Sequence, residues 1–182
     1  MYGHTHSDEF RVINSYFEPK EPVGIVYTAP SLTTSNFFHP SFRVFEIDSN
    51  TKQLIDYVQY RLNITKANLD PIPSNKPKWD IAYRASEEFQ ARDLVDFNRF
   101  ADFIERIQNR TGEYKMLMRH FFNDGPMYKE YVNNPGIMFI KLNIEDMSKF
   151  MYCRFKENTF DDYLKCTRYR TCNKLILNLI FI

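Results

Sequence analysis

The chain has 182 residues, 43% hydrophobic and 26% charged, which excludes a disordered tail and allows one ordinary domain or two small ones. A chain of this length removes roughly two-thirds of its unfolded surface from water, so it can build a real core. Lys and Arg total 24 against 23 Asp and Glu, a net charge of +1, so no basic field exists to hold a nucleic-acid backbone and none is expected as partner.

The first ten residues, MYGHTHSDEF, carry no apolar stretch of the kind a signal peptide needs. Short runs rich in Val, Ile, Phe and Tyr follow, separated by turn residues, which predicts strands. Glu9 to Asn14 alternates Phe10 and Val12 against Arg11 and Ile13. Val23 to Thr28 is nearly continuous in apolar residues and predicts a strand buried on both faces. Phe42 to Asp48 places Phe42, Val44 and Glu46 on one face and Arg43, Phe45 and Ile47 on the other. The turn Ser49-Asn50-Thr51-Lys52 joins it to Gln53–Tyr60, which predicts a hairpin.

The chain divides near residue 63. Pro71, Pro73 and Pro77 crowd a stretch that can be neither helix nor central strand. Beyond it the period changes to 3.6, and Trp79, Ala82 and Tyr83 predict the opening of a helix. Asp93 is a candidate cap for the next one, whose Phe100, Phe103, Ile104 and Ile107 share a face. Residues 113–123 predict a third helix stopped by Asp124-Gly125-Pro126, and residues 144–157 and 159–171 a fourth and fifth. The C-terminal run KLILNLIFI falls short of the ~20 residues that span a bilayer, so no transmembrane segment is expected. It reads as a strand, a helix end or an atypical tail (174–182) from a mis-joined gene model. The fold class is α+β, strands first and helices second.

Three cysteines, Cys153, Cys166 and Cys172, fall in the last thirty residues. Without a CxxC pair they do not suit a zinc ribbon; a small disulfide patch and three buried thiols both remain open. Two glycosylation tripeptides, beginning at Asn63 and Asn109, fit a secretory compartment.

Gly3-His4-Thr5-His6 carries the chemistry. Two imidazoles at i and i+2 project to one side of an extended segment, so both can face one metal ion or a metal pair. By itself an HxH pair at a chain terminus is more often a solvated loop or a tag-like remnant. Its setting is more informative: GHTHSDEFRV, then Ala29-Pro30-Ser31-Leu32-Thr33-Thr34, then His39-Pro40-Ser41-Phe42-Arg43-Val44, then Leu62-Asn63-Ile64-Thr65-Lys66-Ala67-Asn68. In that order, from Gly3 to about Phe89, the chain resembles the acid sphingomyelinase-like phosphodiesterases of the calcineurin-like metallophosphoesterase superfamily.

That resemblance implies the last strands of a metallophosphoesterase β-sandwich in residues 1–62 and a C-terminal helical subdomain of sphingomyelinase type in 63–182. It implies His6 as a ligand of one zinc and His4 as a ligand of the other, in a two-zinc centre whose bridging hydroxide attacks phosphorus in line. It also implies a phosphodiester substrate, such as sphingomyelin cleaved to ceramide and phosphocholine at a membrane surface, and a secreted or lysosomal parent. The loop carrying His39 lies near the family's catalytic cleft, so His39 is a candidate substrate contact. Cys166-x5-Cys172 looks like part of the family's disulfide-bonded C-terminal segment; the family partner of the Cys172 position lies further downstream, which leaves Cys153 with Cys166.

The family's earlier metal motifs, D-x-H, G-D and G-N-H, are absent: the five glycines precede His4, Ile25, Glu113, Pro126 and Ile137. Two histidines cannot replace about seven ligands. The expectation is therefore a fragment, inactive by itself, with Met1 an internal methionine. The alternatives are a non-catalytic glycosylated binding module, or a family member hydrolysing nucleotide phosphates. Asp8 is a candidate for orienting a ligating histidine, His120 a satisfied helix residue, and Ser31, Thr33 and Thr34 a turn at the cleft rim.

Overall fold

The computed structural model describes residues 5–18, 20–69, 77–91, 93–107, 111–126, 128–129, 144–157 and 159–167. His4, Asn109, Cys172 and the 174–182 tail lie outside the described residues, as do most of the proline-rich stretch and residues 168–171.

Two antiparallel sheets form. Strand β1 (Glu9–Asn14) pairs with β2 (Pro22–Thr28), while β3 (Ser41–Ile47), β4 (Leu54–Arg61) and β5 (Asp80–Arg84) follow one another in the second. In β1 the alternation holds, Phe10 and Val12 being buried. The expected hairpin is β3–β4, with Phe42 opposite Tyr60 and Val44 opposite Val58. Its turn is fastened by Asp48, whose carboxylate accepts the backbone N–H groups of Asn50 and Thr51.

Two strand-region expectations are corrected. The apolar run in β2 is not buried on both faces: Tyr27 is buried but Val23 is 55% exposed, because β2 forms a two-stranded sheet with β1. Trp79, Ala82 and Tyr83 do not open a helix. Residues 80–84 form β5, with Gln59 opposite Tyr83 and Tyr60 opposite Ile81. Trp79 meets Phe42 edge-on at 4.9 Å, and Tyr83 turns inward. Over so few residues an apolar run fits either period, and pairing with β4 satisfies the backbone as a lone helical turn could not.

Among the described residues the helices include α1 (Ile64–Asn68), α2 (Ala85–Glu88), α3 (Phe97–Ile107), α4 (Thr111–Phe121), α5 (Ile144–Lys156) and α6 (Phe160–Thr167). Asp96, not Asp93, caps α3: its carboxylate accepts the Arg99 N–H three residues on, whereas Asp93 closes a turn onto Val95. Phe100, Phe103, Ile104 and Ile107 are all buried on the inward face of α3. They meet the strands through Phe10, whose ring lies 5.1 Å from Phe100, 5.3 Å from Phe89 and 5.5 Å from Phe155 on α5. Burying each such ring is worth about 1.5–3 kcal/mol, so this one cluster ties β1 to α3 and α5. Cys153 on α5 and Cys166 on α6 form a disulfide.

Candidate functional site around His6

His6 sits three residues before the start of β1 with φ at 61°, in the left-handed region where His, Asn and Asp are enriched among non-glycine residues. Contacts from two distant loops hold it. Its backbone carbonyl accepts a hydrogen bond from the Asn123 side chain at 3.3 Å, and its ring Nδ1 lies 3.3 Å from the Thr33 hydroxyl. Asn123 is itself buried. The next residues pack so closely on the 37–38 backbone that a Cβ at Gly125 would fall 2.4 Å from the Phe37 carbonyl oxygen. Thr33 is set by Ser31, whose hydroxyl accepts the Thr33 N–H and bonds its hydroxyl at 3.0 Å. Ser31 and Thr33 thus shape a turn beside His6. In the tautomer that donates Nδ1–H to Thr33, the Nε2 lone pair is the one left to a metal ion.

The carboxylates that follow His6 face away into the protein. Asp8 forms a buried ion pair with Arg43 and accepts the Tyr83 hydroxyl at 2.6 Å, and among the described residues it orients no histidine ring. Arg43 lies 3.8 Å over the Tyr57 ring, and its Nε donates to Gln59. Burial works against the Arg43 charge, but Asp8 and the two tyrosines outweigh it and hold the guanidinium above its ordinary pKa. Tyr83 is pushed well up, by burial first and then by the Asp8 charge, so its hydroxyl stays a donor. Glu9 takes the other direction: Arg154 on α5 grips it with Nε at 2.8 Å and Nη2 at 3.2 Å, and the Thr5 hydroxyl donates to it at 2.9 Å.

A zinc ion needs three or four protein donors. Among the described residues no three His, Cys, Asp or Glu side chains gather to hold a metal ion. The donor chemistry of His6 suits zinc, but the described residues do not complete a site.

The remaining candidates have structural partners. His39 is buried, and its Nδ1 accepts the N–H of Ile64 at 3.4 Å, at the start of α1. Burial, then the Arg61 charge, lowers its pKa. Asn63 caps α1 through Oδ1, a bond that does not use the amide nitrogen to which an N-linked glycan attaches. His120 is a satisfied helix residue: it bonds Glu88 at 2.7 Å and lies 4.1 Å from the Tyr83 ring. Arg43, Tyr83, Asn123 and Arg154 escaped the sequence reading. An arginine on the inward face of an alternating strand was a usable signal for Arg43; Asn123 and Arg154 gave none, since their partners lie over a hundred residues away.

Known proteins supply the remaining comparison. No family model matches the chain. Sphingomyelin phosphodiesterase B of Dictyostelium discoideum is 27% identical over 182 residues, covering 97% of this chain and 26% of the relative. Acid sphingomyelinase-like phosphodiesterase 3b of Mus musculus is 26% identical over 176 residues, 91% of this chain and 34% of the relative. Sphingomyelin phosphodiesterase of Homo sapiens is 38% identical over 93 residues, 49% of this chain and 14% of the relative. The chain thus spans about a third or less of the length of each of these relatives. With an α+β fold and matches that run over most of its residues, the chain is a relative of the sphingomyelin phosphodiesterases and acid sphingomyelinase-like phosphodiesterases.

Proposed function

We propose that the chain contributes part of a zinc-dependent phosphodiesterase that cleaves sphingomyelin, and that it is inactive alone. The observation that carries this reading is the similarity to sphingomyelin phosphodiesterases over most of the chain, together with a His6 held at its backbone carbonyl by Asn123 and at its ring by Thr33. His6 and His4 are the metal donors of this reading, one for each of two zinc ions, with the other donors coming from sequence outside this chain. Residues 1–62 stand for strands of a metallophosphoesterase sandwich and 63–182 for its helical subdomain.

The inactivity follows from donor number. Asp8 and Glu9 are committed to Arg43 and Arg154, and two imidazoles cannot hold two zinc ions. A secreted or lysosomal setting fits the Cys153–Cys166 bond, since disulfides persist in oxidising compartments. It also fits a glycan at Asn63, and Asn109 is the second acceptor of this reading. No helix among the described residues is long and apolar enough to cross a membrane.

The test is hydrolysis of radiolabelled sphingomyelin and of bis(p-nitrophenyl) phosphate by the zinc-supplemented chain. No turnover is expected of the chain alone. An extended protein that carries the chain and the D-x-H, G-D and G-N-H motifs should turn over sphingomyelin and lose that activity on His6→Ala. Zinc-dependent turnover by the 182-residue chain would contradict the donor argument, and an extended protein indifferent to His6→Ala would contradict the site.

A further inference from the structure

Glu9 binds the segment carrying His6 to the far end of the chain. Arg154 and Glu9 form a two-pronged pair with each side chain only 8% exposed. Thr5 closes the other side of the same carboxylate, so one glutamate fixes both ends of residues 5–9. Arg154 adjoins Cys153, which is wholly buried and bonded to Cys166 on α6. That helix has eight residues, well short of the ~12–15 at which isolated helices become even marginal. Among the described residues, the disulfide, the buried Tyr163 and the half-buried Leu164 hold it against the core.

We infer that the Cys153–Cys166 bond and Arg154 form a redox-sensitive latch in which Arg154 positions the His6 segment. Cys153 is wholly buried and Cys166 half-buried, so Cys166 is the partner nearer to solvent. A dithiol reductant attacks Cys166 Sγ, the S–S bond breaks, and Cys153 leaves as a thiolate that takes up a proton. The dithiol's second sulfur then closes its own disulfide and releases Cys166 as a thiol, two electrons having passed to the protein. With α6 free to leave, α5 loses the helix packed on it, and the grip of Arg154 on Glu9 loosens with α5. The inference rests on the proposed function only for what the His6 segment is for; its conformational consequence stands apart from zinc and from hydrolysis.

Hydrogen exchange of the full chain, read by mass spectrometry before and after dithiothreitol, tests it. Reduction should quicken exchange in peptides covering residues 5–14 about tenfold while β3–β4 stays protected. Unchanged exchange there with α6 opened would overturn the latch. Equal quickening in β3–β4 would also overturn it, showing a general staple. Arg154→Lys in the oxidised chain keeps the charge but loses the two-pronged grip. It should quicken the same peptides with α6 still protected; unaltered exchange would remove Arg154 from its positioning role.

Discussion

Asp8 and Glu9 are neighbours in sequence and are both buried, yet they anchor opposite halves of the molecule. Asp8 faces the second sheet, where Arg43 of β3 and Tyr83 of β5 share its two oxygens. Glu9 faces the helices, where Arg154 of α5 takes both of its oxygens. The difference lies in what surrounds each pair. The Arg43 side chain is 1% exposed, lies over Tyr57 and joins a hydrogen-bonded network, while Arg154 is 8% exposed beside a disulfide. Alternation along one strand start thus turns two adjacent acids into a sheet anchor and a helix anchor, with His6 just ahead of both.

That contrast predicts an order of effects. Arg43→Met leaves Asp8 buried without its cation and should cost about 3–5 kcal/mol in urea unfolding, the largest loss of the set. Glu9→Gln keeps shape and a hydrogen-bond acceptor, so its cost should be about 1.5–3 kcal/mol, and its unfolding midpoint should lie between those of Arg43→Met and the native chain. If Glu9→Gln proved the more damaging, the helix anchor would be the stronger one and the ranking would reverse. Among the helix caps, Asp96→Ala should cost about 1 kcal/mol and Asp93→Ala less, a comparison that thermal melts can make directly.

The smallest effect is one of pH. Burial, then the Arg61 charge, lowers the folded-state pKa of His39 below its ordinary value near 6.5. A lowered histidine means the unfolded chain binds the proton more readily. The His39 contribution is therefore complete above the unfolded value and is lost as pH falls from there through the folded one. Stability measured from pH 7 to pH 5 should decline less steeply in His39→Gln than in the native chain; parallel declines would remove His39 as the cause.

The strands before residue 63 were legible because alternation and turn chemistry are local signals. Phe10 and Val12 point inward as their spacing requires, and Asp48 closes the hairpin turn. The face of α3 was legible for the same reason. Strand β5 was not, since five residues cannot distinguish a period of 2 from one of 3.6, and its identity is decided by β4 alongside it. The apolar run of β2 misled because continuous hydrophobicity reports composition and not the number of neighbouring strands. At the site, GHTH could be read as metal-seeking, and the fate of Asp8 and Glu9 could not. Arg43 and Arg154 reach them across 35 and 145 residues of sequence, and no local pattern encodes such distances.

Zinc titration of the chain by isothermal calorimetry, with His6→Ala and Asp8→Asn alongside, bears most directly on whether these acids serve the fold or a metal. The predicted result is weak binding that His6→Ala abolishes and Asp8→Asn leaves unchanged. Two tightly held zinc ions per chain, weakened by Asp8→Asn, would show that the acids beside His6 are metal ligands and that the chain is a complete site.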